Sequence, residues 1–277
     1  MRSLIRYYGG KWRIAPWIVS LMPEHTRYVE PFAGAASVLL RKPRCYAEVL
    51  NDINGDIVNL FKVIRDNLVG ENGLTLAQTL RLTPFAREEY DLSFQPSGDP
   101  VERARRLVVR SMCGFNADTI NVRNSQSGFR RDIGRKFTIP AHDLANYPEK
   151  IHLFVERLRG VVIENQDATD IIRYYDKFDD VLFYLDPPYL HSTRRDATFH
   201  GYAREMSDDD HAALVDIILS LKNKVMLSGY DNDIYARLLD NGFTKVTRSF
   251  ANATFQAGER TECLWCNFRT EEAINVD

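Results

Sequence analysis

A chain of 277 residues, 44 % hydrophobic and 27 % charged, is long enough for one large core, or one core with an inserted subdomain, and too apolar for disorder. No apolar run approaches the length that crosses a bilayer, and residues 1–11 lack the apolar middle of a signal peptide, so a cytoplasmic protein is expected. The formal net charge of −2 excludes a uniformly basic surface but leaves room for a local basic patch.

The chain opens with Arg6-Tyr7-Tyr8-Gly9-Gly10-Lys11, where two glycines permit a bend and Lys11 offers a charge to an anionic carboxylate. Residues 28–32 read as a strand running into Ala33-Gly34-Ala35-Ala36-Ser37 and then a helix over 37–41. Such a strand, small-residue turn and helix let a cofactor approach the backbone. The GxGxxG spacing of a nicotinamide site and the Gly-Lys-Ser of a phosphate loop are both missing. A second strand, 45–50, ends at Asp52, where an acidic side chain typically accepts ribose hydroxyls. The competing role for Asp52 is as cap of a helix over 55–67.

The strand–helix rhythm breaks from 61 to 148. Helices are expected over 84–92 and 100–113, followed by a stretch, 114–140, rich in Asn, Ser, Gly and Arg and suited to a hairpin or long loops. From 103 to 136 the basic residues are Arg103, Arg105, Arg106, Arg110, Arg123, Arg130, Arg131, Arg135 and Lys136, against only Asp118 and Asp132. That excess is the footprint of a phosphate-binding surface; a solvated basic face is the alternative.

Alternation resumes with a strand at 161–165, which sets Asp167 at its end, then a helix over 168–175 and a strand at 181–185. A helix over 207–221, a strand at 224–228 and a helix over 233–241 follow. The last two runs, 245–250 and 261–268, have no helix between them and are expected to form an antiparallel edge pair. Two of the four cysteines, Cys263 and Cys266, lie in the final run, where residues three apart face opposite sides; buried thiols are expected there, and no metal is assigned. The fold class expected is α/β: a Rossmann-like, doubly wound, mostly parallel sheet with an antiparallel edge hairpin. Residues 1–60 and 149–277 would form the catalytic domain, and 61–148 an inserted helical domain carrying a basic hairpin.

The strongest chemical signal is Asp186-Pro187-Pro188-Tyr189, directly after the strand at 181–185. Ligands of open α/β sheets sit beyond the carboxyl ends of strands, so this tetrapeptide stands where chemistry occurs. Two prolines stiffen the backbone and remove two donors, leaving carbonyls to accept bonds from a substrate. An aromatic amine is a poor nucleophile because its lone pair is delocalised into the ring. Two acceptors gripping its N–H bonds, Asp186 and the Pro187 carbonyl, would draw the nitrogen towards tetrahedral geometry and aim the lone pair at a methyl donor. A base must leave the duplex to reach such a pocket, and stacking on Tyr189 would offset part of the unstacking cost. The plain alternative is a Pro-Pro turn with Asp as a cap.

In this order, Tyr7-Tyr8-Gly9-Gly10-Lys11, Glu30-Pro31-Phe32-Ala33-Gly34, Asn51-Asp52-Ile53-Asn54 and Asp186-Pro187-Pro188-Tyr189 resemble the Dam-type DNA adenine methyltransferases. Weaker matches lie at 199–202 and at Arg260-Thr261-Glu262. The resemblance implies S-adenosylmethionine as cofactor, S-adenosylhomocysteine as its product, and double-stranded DNA as the partner of a chain expected to act as a monomer. It implies that Tyr7 and Lys11 contact the cofactor, Lys11 near its carboxylate; that Phe32 and Gly34 line its cleft; that Asp52 binds the ribose; and that Asp167 accepts a bond from its adenine. Asp186, Pro187, Pro188 and Tyr189 would hold the target base. The segment between would read DNA through Arg110, Asn116, Arg123, Asn124, Arg130, Arg131, Arg135 and Lys136, most of them as phosphate contacts and Arg130 as the preferred base reader. One departure is Ala36, which stands where the family's loop usually has a second glycine; a positive φ there would cost on the order of 1 kcal/mol. Alternative readings are methylation of the cytosine amino group, where Ser is commoner than Asp at position 186, methylation of RNA, and a catalytically silent DNA-binding relative.

Overall fold

The computed structural model describes residues 3–115, 128–134, 136, 138–193, 204–251 and 259–270. Its strands are β1 (Arg27–Glu30), β2 (Ala47–Asn51), β3 (Val162–Glu164), β4 (Val181–Leu185), β5 (Lys224–Gly229), β6 (Thr244–Ala251) and β7 (Glu259–Cys266). They form one seven-stranded sheet in the order β3-β2-β1-β4-β5-β7-β6. The first five of these pair in parallel, and β7 pairs antiparallel with both β5 and β6. The mostly parallel sheet with an antiparallel edge is therefore the one expected from the sequence.

Period-two alternation divides the core into two layers. Tyr28, Leu182, Tyr184, Met226, Leu264 and Cys266 face one layer, while Val29, Val181, Phe183, Leu227, Cys263 and Trp265 face the other. Cys263 and Cys266 thus point to opposite faces, and burial pushes their thiols up to about 11 and about 12, leaving them un-ionised. The first layer is covered by α1 (Ala15–Ser20), α2 (Gly55–Arg65), α3 (Leu76–Arg81), α4 (Arg87–Leu92), α5 (Pro100–Cys113), α6 (Pro140–Ala145) and α7 (Ile151–Leu158). The second is covered by α8 (Ala168–Tyr175), α9 (Asp208–Ser220) and α10 (Asp233–Asp240). The helices between 61 and 148 contribute Leu80, Tyr90, Leu107 and Leu144 to the same apolar cluster as the sheet, so they extend one face of its core.

Local chemistry sets the helix ends. Asn54 caps α2 by accepting the Asp56 N–H at 2.9 Å, and Asn67 at φ +47° stops the helix in a left-handed turn. Asp99 caps α5 ahead of Pro100, and Ser207 with Asp210 forms a capping box on α9.

The helix expected over 37–41 is a run of turns instead. Both Gly34 (φ +48°) and Ala36 (φ +49°) are left-handed, and the Leu39 N–H donates to the Glu30 carboxylate at 3.2 Å rather than to a helical carbonyl. The far end of this turn is clamped by Glu48 of β2, buried between Lys42 at 2.8 Å and Arg157 of α7 at 2.6 Å; burial would raise the Glu48 carboxyl, but the two cations outweigh it and lower it. Arg157 also donates to the Leu39 carbonyl.

Ala36 is fully buried in this left-handed conformation. Ala36→Gly relieves about 1–2 kcal/mol of backbone strain but forfeits a buried methyl worth about 0.8 kcal/mol and frees the unfolded chain by about 0.4–1 kcal/mol, so stability should move by less than about 1 kcal/mol. Ala36→Val adds a β-branched side chain to a left-handed site and overfills the core, and is expected to cost roughly 2–4 kcal/mol. Urea unfolding of the ligand-free chain measures both; a valine variant as stable as the parent would refute the strain argument.

Candidate active site

Between β1 and β4 the strand order reverses, since β2 and β3 lie on one side of β1 and β5 continues beyond β4. At such a switch point the connecting segments leave towards opposite faces and a crevice opens beyond the carboxyl ends of the strands. Those ends deliver Glu30 from β1, Asp52 just after β2, Asp167 after β3 and Asp186 after β4. Asn51, the last residue of β2, ties three of them together. Its buried amide donates to the Pro31 carbonyl at 2.9 Å and the Gln166 carbonyl at 3.0 Å, and accepts the Gln166 N–H at 2.9 Å. Sequence reasoning gave Asn51 no role; the signal was a polar residue closing an apolar strand.

The resulting cleft is lined by Tyr7, Gly9, Gly10, Phe32, Gly34, Asp52, Asp167, Asp186 and Pro188, among others. Its lining runs from the Tyr7 loop and Phe32 past Asp52 to Asp186 and Pro188, so one continuous cleft joins the glycine turn to the tetrapeptide. Gly34 is required by geometry as well as by its φ, because a Cβ there would lie 2.9 Å from Cε1 of the Tyr7 ring. Asp52 accepts the Gly34 N–H at 2.7 Å on one oxygen and the Asn54 N–H at 2.8 Å on the other. Since Asn54 caps α2, Asp52 is left facing the cleft with further lone pairs for hydroxyl donors. Burial pushes its carboxyl up to about 6 despite those two backbone donors. Asp167 caps α8 through Thr169 and has Arg204 at 3.5 Å; these outweigh partial burial and hold its carboxyl low. The glycine cradle, the Phe32 wall and the Asp52 acceptor fit a nucleoside with a ribose diol.

Around Asp186 the structure assembles a buried polar group. Lys11 Nζ lies 2.7 Å from Asp186 Oδ1, 3.8 Å from Glu262 Oε1 and 4.5 Å from the centre of the Tyr189 ring. Burial alone would lower the lysine, but Asp186 and Glu262 raise it, so it is a full ammonium. Asp186 is pushed up to about 6, first by burial, with Lys11 pulling it down and Glu262 pushing it further up; it is ionised at neutral pH. Its Oδ1 is buried against the Lys11 ammonium, and the carboxylate keeps further lone pairs for an incoming N–H. The structure therefore brings Lys11 to Asp186, on the tetrapeptide side of the cleft. Pro188 lines the cleft, whereas Tyr189 is buried with its hydroxyl bonded to Glu262 and its ring against Tyr230, centroids 4.7 Å apart.

The basic segment looks different in space. Arg103 pairs with Asp56 at 2.8 Å, Arg105 with Glu102 and Glu89 at 2.6 Å, Arg106 with Glu102 at 2.6 Å, and Arg110 with Asp56 at 3.5 Å. A window that began at Arg103 omitted these carboxylates, so the helical part of the basic excess is largely neutralised. Arg130 is 4 % exposed, with its guanidinium donating to the Met112 carbonyl and its backbone N–H to the Cys113 carbonyl, so it is tied to the end of α5. Arg131 and Lys136 are exposed. Asn116, Arg123, Asn124 and Arg135, like the motif at 199–202, lie outside the described residues.

Asp52 generates a sign-specific expectation. A carboxyl raised from 3.8 to about 6 by folding adds stability that is complete below about pH 4 and is lost as pH rises through about 6. In the ligand-free chain this amounts to roughly 2–3 kcal/mol between pH 4 and pH 7. Asp52→Asn should remove that component from a series of urea unfolding curves; an unaltered pH slope would show that Asp52 ionises as freely folded as unfolded.

Comparison with known proteins identifies the family. The family model described as D12 class N6 adenine-specific DNA methyltransferase matches residues 7–252. The chain is 27 % identical over 258 residues to a DNA adenine methylase of Haemophilus influenzae, covering 91 % of this chain and 83 % of that protein. It is 28 % identical over 287 residues to the type II methyltransferase M1.LlaDCHI of Lactococcus lactis, covering 97 % and 96 %. Since the family model spans most of the chain, from the Tyr7 loop past the Asp186 tetrapeptide, this protein belongs to the D12 class of N6 adenine-specific DNA methyltransferases.

Proposed function

We propose that this chain methylates N6 of an adenine flipped out of double-stranded DNA, with Asp186 and the Pro187 carbonyl gripping the amino group. S-adenosylmethionine supplies an electrophilic methyl group on a sulfonium. Asp52 accepts its ribose hydroxyls, Phe32, Gly34 and Tyr7 wall its nucleoside, and Asp167 stands at the adenine end. The observation that carries the reading is the Asp186 carboxylate at the end of β4, buried beside Lys11 and in the same cleft as Asp52.

The chain's own contribution is acceptor geometry. Hydrogen bonds from both amino hydrogens pull electron density onto N6 and fix its lone pair, and placement of this kind is worth orders of magnitude in rate. Forming the N6–C bond breaks the carbon–sulfur bond, and N6 then sheds one proton; Asp186, ionised at neutral pH, is the acceptor beside it. Stacking of the base on Tyr189 requires Lys11 to withdraw from the ring it now covers. Residues 61–148 act as the target-recognition segment, with Arg131 and Lys136 as exposed phosphate contacts. One chain carries all of these groups, which supports action as a monomer, and the bacterial relatives support a bacterial or phage-infected cytoplasm.

Nucleoside mass spectrometry on unmethylated duplex DNA incubated with the protein and S-adenosylmethionine should show 6-methyladenine. Asp186→Ala should lower transfer by about 10³-fold or more while DNA binding stays within a few-fold. Appearance of 4-methylcytosine would change the base, and an active Asp186→Ala variant would remove the proposed chemistry.

Replacing Arg131 and Lys136 together by alanine should flatten the dependence of log K on log salt by up to ~2 units, about 0.9 for each phosphate no longer neutralised. An unchanged slope would place the DNA track elsewhere on the surface.

A further inference from the structure

We propose that Glu262 is a positioning residue for the Tyr189 ring, an inference that rests on the methyl-transfer reading above. Glu262 lies in β7, the antiparallel strand, outside the motifs that carry the cofactor and base roles. In a parallel sheet every strand reaches the active edge with its carboxyl end. The β7 strand runs the other way, with Cys263 opposite Gly229 and Leu264 opposite Ser228 at the end of β5. Its N-terminal half therefore enters at the active edge, and a side chain near its start can project beneath the Asp186 tetrapeptide.

One oxygen of Glu262 gathers that region. Oε1 accepts from the Tyr189 hydroxyl and from Ser228 Oγ at 2.6 Å, and Ser228 Oγ is itself 3.2 Å from the Tyr189 hydroxyl. All three groups are buried. A tyrosine ring held only by packing can rotate about its Cβ–Cγ axis. The phenol oxygen lies on that axis and does not move in the rotation. Conjugation nevertheless keeps its O–H in the ring plane, so a hydroxyl aimed at a fixed carboxylate favours one ring plane. Tyr230 packs against the ring at a centroid distance of 4.7 Å. The ring plane is thus fixed in advance for a flat partner, and the entropy of ordering it is not charged to base binding. A charge-assisted bond from a phenol to a carboxylate is also stronger than a neutral one, which suits a group that must hold its place when Lys11 leaves the ring. What Glu262 supplies is an acceptor, so an amide oxygen at the same place should suffice.

The test compares Glu262→Ala, Glu262→Gln and Tyr189→Phe with the unaltered chain, alone and in combination. Glu262→Ala should lower kcat by about 10–100-fold, with KM for S-adenosylmethionine within threefold, because the Gly34 and Asp52 side of the cleft is untouched and Lys11 keeps Asp186 at 2.7 Å. Glu262→Gln should retain kcat within fivefold. In the Tyr189→Phe background, which has no hydroxyl to hold, adding Glu262→Ala should cost less than a further threefold. An activity-independent readout is ring motion in the ¹³C-tyrosine-labelled, ligand-free chain, the Tyr189 signal being assigned by its loss in Tyr189→Phe. Ring flipping should be at least tenfold faster in Glu262→Ala than in the unaltered chain and in Glu262→Gln. Equal flip rates, undiminished kcat in Glu262→Ala, a Glu262→Gln as impaired as Glu262→Ala, or an equal loss in the Tyr189→Phe background would each overturn the proposal. Absence of methyl transfer by the unaltered chain would defeat only the functional reading, since the ring-motion comparison stands without it.

Discussion

Parallel pairing of β3, β2, β1, β4 and β5 aims the carboxyl ends of five strands at one edge, and the reversal of order between β1 and β4 prevents any crossover from covering that edge there. Glu30, Asp52, Asp167 and Asp186 are arranged around this gap. Asn51 crosslinks the chain beyond β1 and β3 to the end of β2, so the loops that leave the sheet are fixed relative to each other before any ligand arrives. The Asp52 carboxylate does the same at shorter range, holding Gly34 and Asn54 on its two oxygens. Removal of such a buried, multiply bonded acceptor strands several donors at once, which is why these groups are more demanding than their small number suggests.

The cleft concentrates carboxylates in low-dielectric surroundings. Burial pushes Glu30 up to about 8, although Tyr28 and the Leu39 N–H each donate to it, and it lifts Asp52 and Asp186 to about 6. Lys11 at Asp186 and Arg204 at Asp167 partly offset this crowding. A ligand with positive charge and hydroxyl donors meets acceptors already dehydrated and aimed, which is the condition under which electrostatic interactions count most.

The helical segment after β2 follows a different logic. Along α5 the arginines are bound to carboxylates within the protein and serve its packing, with Arg105 buried between Glu102 and Glu89. Arg130 belongs to the same class: the Gly114–Phe129 bridge and the Arg130–Cys113 backbone bond tie residues 129 and 130 to the end of α5, and Phe129 packs on Phe85 at 4.8 Å. Charge counted along a sequence is not charge presented to a partner.

Strands and most helices were legible in the sequence because period two and period 3.6 are local consequences of which residues must be buried. The same holds for the opposed faces of Cys263 and Cys266 and for the placement of Asp52 and Asp186 at strand ends. The strain at Ala36 was legible as a missing glycine. The turn at 37–41 was not, because a carboxylate from β1 takes the Leu39 N–H away from a helix that the local pattern favours. Tertiary structure alone decided that Lys11 meets Asp186, that Arg130 is interior, that Asn51 joins three loops and that Glu262 reaches Tyr189. Each is a contact between residues far apart in the chain, and its partner is set by strand order and direction, which no local periodicity encodes.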